Sequence, residues 1–117
     1  MCARDYDAGA NHPQQPDDQR FYTAVEMLRM LAEPTRLRLL WLVSQREQSV
    51  SELAARVGAA RPAVSQHLAK LRLAGLVRER RQGRRVFYTA RGGHVRRLVV
   101  EALAAADHHL TGIPDQG

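Results

Sequence analysis

The sequence predicts a mainly α-helical domain carrying one small β-hairpin, in the order helix, helix, helix, helix, strand, strand, helix. Three observations predict it. Apolar residues recur at spacings of three and four through most of the 117-residue chain. Glycines and prolines fall where those runs stop and start, and one stretch, Val86-Phe87-Tyr88-Thr89, is β-branched and aromatic instead. With 44% hydrophobic and 26% charged residues, the chain suits one core and is too short for two.

Residues 1–18 are polar, contain Gly9, Pro13 and Pro16, and lack apolar periodicity, so a flexible N-terminal arm is expected. From Gln19, Phe21, Val25, Leu28 and Leu31 lie on one helical face, and Pro34 biases Glu33 out of the helical region. Pro34 then suits the first turn of a second helix through Leu37, Leu40, Trp41 and Val43, whose near-continuous apolar character predicts burial from several sides. Ser49-Val50-Ser51-Glu52 has capping-box spacing and opens a short third helix that ends at Gly58. A fourth helix runs from Arg61 to Ala74 with Pro62 in its first turn and Gly75 as its stop; two short helices joined this tightly form a helix-turn-helix. Residues 76–81 and 84–89 read as a hairpin around Gln82-Gly83. Gly92 and Gly93 break it, and a last helix covers about His94 to His109, giving a folded domain over 19–110 and a disordered tail over 111–117.

Charge is concentrated in the middle. The formal net charge is +6, yet from Arg56 to Arg97 twelve basic residues stand against a single acid, Glu79. A segment this one-sided predicts contact with nucleic acid rather than a merely solvated face. No run of eighteen apolar residues exists for a membrane span, and Asp5, Asp7, Asp17 and Asp18 stand where an export signal would be basic and then apolar. The expected location is the cytoplasm, without a membrane partner. The single cysteine, Cys2, excludes an internal disulfide framework and a thiolate metal cage within one chain. No nucleophile–base–acid set or phosphate-cradling glycine loop suggests an enzyme.

In the fourth helix Val64, Leu68 and Leu71 face the core, which turns Pro62, Ser65, Gln66, Ala69 and Lys70 outward. Small, hydrogen-bonding residues allow close approach to a major groove, where Gln66 suits adenine and Ser65 several bases. Lys70 and Arg61 suit phosphates, while His67, on the flank, suits packing or a phosphate as well as a base. Around the hairpin tip Arg81, Arg84 and Arg85, with Arg78 and Arg80, suit the backbone or a minor groove; charged strand edges also deter aggregation, but not so many at once.

Four motifs in order, Leu31-Ala32-Glu33-Pro34-Thr35-Arg36-Leu37-Arg38-Leu39-Leu40, Val64-Ser65-Gln66-His67-Leu68-Ala69-Lys70-Leu71-Arg72, Ala74-Gly75-Leu76-Val77, and Arg81-Gln82-Gly83-Arg84 with Phe87-Tyr88, resemble the ArsR/SmtB family. The resemblance spans about Gln19 to His109. It implies a winged helix-turn-helix repressor, a homodimer joined through its first and last helices, bound to palindromic double-stranded operator DNA and released by an inducer.

The third helix lacks the cysteines of the family's thiolate site, which argues against soft ions. The last helix holds His94, Glu101, Asp107, His108 and His109. His94 and His108 are fourteen residues apart, about 21 Å along a helix, so one chain cannot chelate with both. Fourteen residues is nearly four turns, however, and in an antiparallel pair His94 of one copy would meet His108 of the other, beside a stripe of Val95, Leu98, Val99, Ala102 and Ala106. Compared with the family's zinc pattern, Gly92 and Ala105 replace two ligands. The resemblance to nickel- and cobalt-sensing members implies Asp107 as the third ligand, whereas ideal helix geometry favours His109. Imidazole and carboxylate suit Ni2+ or Co2+, with Zn2+ also acceptable, and Cys2, Asp5, Asp7 or His12 of the arm are available to complete six-coordination. The expectation is thus a metal-responsive repressor that binds its operator when metal-free. The rival readings are a repressor with a non-metal inducer or none, and a winged-helix architectural or protein-interaction module.

Overall fold

The computed structural model describes residues 15–112. The candidate arm ligands Cys2, Asp5, Asp7 and His12, and the tail beyond Gly112, lie outside the described residues. Helix α1 (Asp18–Leu31) starts where the Asp17 carboxylate accepts the Arg20 backbone N–H at 2.9 Å, one residue before the apolar spacing alone suggests. Of its predicted apolar face only Leu31 is buried; Phe21, Val25 and Leu28 stand exposed.

Helix α2 (Pro34–Gln45) is capped by Glu33, which is extended at φ −154° and accepts the Arg36 N–H at 2.7 Å. Leu39, Leu40 and Val43 enter the core. The expectation of burial from several sides holds, since the other four helices and the second strand of the hairpin all pack against this one. Trp41 alone of the named residues stays exposed, because consecutive helical residues are turned about 100° apart.

Strand β1 (Gln48–Ser49) has no counterpart in the sequence reading. Two polar residues offer no alternation to detect, and only the partner strand defines them as β. Helix α3 (Val50–Val57) follows with both halves of its capping box formed, Ser49 Oγ accepting the Glu52 N–H at 3.1 Å and Glu52 accepting the Ser49 N–H at 2.8 Å. It ends at Gly58, whose φ of +68° an L side chain rarely adopts.

Helix α4 (Arg61–Leu73) buries Val64, Leu68 and Leu71 completely. Strands β2 (Val77–Gln82) and β3 (Arg85–Ala90) pair antiparallel from Val77↔Ala90 to Gln82↔Arg85. The two-residue turn is therefore Gly83-Arg84, one residue beyond Gln82-Gly83, with the positive φ confined to Gly83 as in a type II′ turn. β1 joins the other side of β3 through Gln48↔Tyr88 and Ser49↔Phe87, giving the sheet order β1-β3-β2. Helix α5 (Gly93–Thr111) ends at Gly112, the last described residue.

The core lies where α2, α3 and α4 meet the base of the hairpin and the first half of α5, with Leu53, Leu76, Val77, Tyr88, Val95 and Val99 completing it. The predicted α5 stripe is thus divided. Val95 and Val99 belong to their own chain's core, while every residue from Val100 to Gly112 is exposed. The radius of gyration is 18.0 Å, against about 13 Å for a compact chain of this length, because helices project beyond the core.

Candidate DNA-reading surface and metal-ligating helix

Complete burial of Val64, Leu68 and Leu71 fixes the rotation of α4 about its axis. Pro62, Ser65, Gln66 and Lys70 are consequently exposed on the opposite face, and Arg61 is exposed at its start. His67 is half-buried, with Nδ1 3.9 Å from Glu33 Oε1 and no hydrogen-bond partner among the described residues. That packing places it on the flank, against the α1–α2 corner. Glu33 itself is held below the usual carboxylate range, first by the Arg36 N–H it accepts and then by the charges of His67 and Arg36.

The basic residues of the hairpin divide into two groups. Arg80 forms a paired contact with Glu47, Nε to Oε2 at 2.9 Å and Nη2 to Oε1 at 2.8 Å, and its guanidinium lies 4.7 Å from the Phe87 ring centre. That contact holds the Glu47 carboxyl below its ordinary range and raises the Arg80 pKa. Arg80 therefore ties the hairpin to the segment before β1. Glu79, the lone acid of the basic stretch, accepts from Tyr88 Oη at 3.1 Å and lies 3.6 Å from Arg81 and 3.9 Å from Arg72. Arg84 and Arg85 form no ion pair with any described residue and are exposed, and Arg61 and Lys70 share that state on α4. Four of the cations left without an ion pair thus sit on the reading helix and the hairpin tip.

Sequence reasoning missed Glu47. Its partner lies 33 residues away, and only the pairing of β1 with β3 brings the two together.

On α5, His94, Asp107, His108 and His109 are all exposed. Among the described residues no three His, Cys, Asp or Glu side chains converge to hold a metal within one chain. This agrees with the helical arithmetic that separates His94 from His108. His94 has a neighbour the sequence reading did not weigh: Arg97, one turn on, lies with Nη2 2.9 Å from His94 Nδ1. A guanidinium only donates, so Nδ1 accepts and the ring proton of neutral His94 sits on Nε2.

The same helix carries exposed Val100, Leu103 and Leu110, and α1 carries exposed Phe21, Tyr22, Val25 and Leu28. Large apolar residues left uncovered in this number mark a surface that another molecule covers. No described helix is long and apolar enough to cross a membrane.

Comparison with known proteins accounts for this layout. Residues 33–79 match the family described as bacterial regulatory protein, arsR family. The HTH-type transcriptional regulator KmtR of Mycobacterium tuberculosis is 54% identical over 99 residues, covering 85% of this chain and 75% of that protein. NmtR of the same organism, also an HTH-type transcriptional regulator, is 35% identical over 109 residues, covering 92% and 91%. Among solved structures, a homodimeric winged helix-turn-helix DNA-binding domain from Mycobacterium bovis, described as a possible ArsR-family transcriptional regulator, superposes with a TM-score of 0.74 at 30% identity, covering 91% of this chain and 100% of that one. β2 and β3 are the wing, α3 and α4 the helix-turn-helix, and operator DNA and a second copy of the chain are its partners. The chain belongs to the ArsR family of winged helix-turn-helix transcriptional regulators, which are DNA-binding proteins and not enzymes.

Proposed function

We propose that this chain is a dimeric, metal-responsive repressor that holds a palindromic operator when metal-free and releases it when nickel or cobalt joins two copies of α5. Zinc fits the same donors. The observation that carries the reading is the exposed half of α5. His108, His109 and Asp107 share that half with the uncovered apolar residues, and His94 stands exposed at the start of the same helix, so pairing two copies both buries the apolar surface and assembles the ligands.

The donors suit the group. His94, His108 and Asp107, with His109 in reserve, supply nitrogen and oxygen without thiolate, which favours divalent ions of intermediate softness. A bound ion would supply the positive charge that draws donors of both copies together. Arg97 sets a condition on His94 as a donor: with the guanidinium on Nδ1 and the ring proton on Nε2, His94 would offer a nitrogen to a metal only once the Arg97 contact opened. On the DNA side, Gln66 reads a base edge, Lys70 and Arg61 hold phosphates, and Arg81, Arg84 and Arg85 bring the wing to the backbone or minor groove. Ser65 and Pro62 keep the approach close, and His67 steadies the flank.

The test is fluorescence anisotropy of metal-free protein on DNA from its own upstream region, repeated with nickel, cobalt and zinc at one salt concentration. Selective binding that weakens about tenfold or more with nickel or cobalt is expected, corresponding to a coupling of about 1–3 kcal/mol. His94→Ala should keep the DNA affinity and lose the metal response; a retained response refutes the ligand assignment. Selective binding indifferent to all three ions leaves the regulator with another inducer.

A further inference from the structure

A cavity of about 170 Å3 lies between the start of α3, the start of α4 and the wing, lined by Ser49, Val50, Ser51, Arg61, Ser65, Arg84, Arg85 and Val86. We infer that it seats one backbone phosphate of the bound DNA, clamped by Arg61 from the reading helix and by Arg84 and Arg85 from the wing. The inference rests on the DNA-binding reading and names where on the surface the backbone is gripped.

Four features support it. Small-molecule pockets run from about 300 Å3 upward, so this cavity is too small for a drug-sized ligand and suits a single compact anion with a few waters. Its three guanidiniums form no ion pair with any described residue. The α4 N-terminus that opens onto it has Ala60 at its cap and no side chain to accept its first N–H groups. Glu52, which would repel an anion, turns its carboxylate to the Ser49 N–H at 2.8 Å, and its charge is balanced by Arg46 and Arg85 nearby.

The clamp is also held in shape. The Arg85 guanidinium lies 4.9 Å from the Phe87 ring centre, so its aim is set before DNA arrives. Position selects a nucleic-acid phosphate over a free one. The sugar–phosphate strand is the border between major and minor grooves, and the cavity lies at the border between the element that enters the first and the element that lies over the second. Ser65 and Ser51 then donate hydroxyls to phosphate oxygens, which moves Ser65 from base reading to backbone gripping.

The experiment neutralises one phosphate at a time. A duplex selected by the full-length protein from a random pool is synthesised with a methylphosphonate at each position in turn, and affinities are compared for the native protein and the Arg61→Ala/Arg85→Ala double variant. One position per half-site should weaken native binding about tenfold, the size of a charge-assisted contact, and change the double variant's binding less than about twofold. Sensitivity at several phosphates, none dependent on Arg61 and Arg85, overturns the clamp and leaves the regulator intact. Inorganic phosphate that perturbs the Ser51 and Arg61 amide resonances at low millimolar concentration, without any methylphosphonate coupling, assigns the cavity to a free anion and overturns the DNA assignment. Failure to select any duplex removes the DNA-binding reading and the clamp with it.

Discussion

Helices α4 and α5 are both amphipathic, and they finish folding in different places. α4 buries Val64, Leu68 and Leu71 wholly inside its own chain and shows solvent a mostly polar face of Arg61, Ser65, Gln66, Lys70 and Arg72, with Leu73 the one large apolar side chain it leaves exposed. α5 buries Val95 and Val99 and then runs on with Val100, Leu103 and Leu110 exposed. One helix leaves a mostly polar face to solvent, whereas the other leaves a run of apolar side chains uncovered. On the proposed function, DNA reading is fixed by the subunit and the response is left to the assembly.

Mutations can break that contrast, and the largest effect is expected in the α4 core. Leu68→Ala leaves a cavity in a fully buried site and should cost about 2–5 kcal/mol of stability, read as a lower midpoint in urea denaturation. A charge on the exposed part of α5 should spare the fold and strike the assembly. Leu103→Glu is expected to give a folded monomer at micromolar concentration by sedimentation, and DNA binding should weaken with it, because burying an unpaired carboxylate in a dimer seam costs several kcal/mol. An unchanged dimer would place the seam elsewhere. Smaller is Gln66→Ala, which should flatten base preference by about 1–3 kcal/mol at one position per half-site while the salt dependence of binding stays the same.

The smallest effect is acid sensitivity. Glu33, Glu47 and Glu52 are held below their ordinary value of 4.5, by the Arg36 N–H, the Arg80 side chain and the Ser49 N–H respectively. A lowered carboxylate stabilises the fold fully above its unfolded pKa, and that contribution is lost as pH falls through the folded value. The urea midpoint should therefore hold from neutrality to about pH 5 and fall below about 4.5, and Glu47→Gln should remove part of the decline.

Much of the fold was legible because the chain marks its own boundaries. Pro34, Gly58, Pro62 and Gly75 delimit α2, α3 and α4, and Ser49 with Glu52 announces a cap that forms on both sides. The reading face followed from one apolar stripe. β1 was not legible, because a two-residue strand exists only through its partner, and neither was the Glu47–Arg80 pair, which depends on that pairing. The exposure of Trp41 was not legible either, because apolar character does not say which neighbour covers a face. On α5 the sequence shows the histidines and acids but not how two copies would arrange them, because among the described residues no three of them converge.

The small β1 strand has a mechanical consequence. It fastens the wing to the segment that becomes α3, and the Glu47–Arg80 contact doubles the fastening on the same side. Wing and helix-turn-helix consequently travel as one piece, like the jaw of a caliper whose shape does not change as it slides. On the proposed function, a signal arriving through α5 would alter the span between two such jaws and leave each jaw's shape as it was. The quantity under control would then be a distance to be matched against the pitch of DNA.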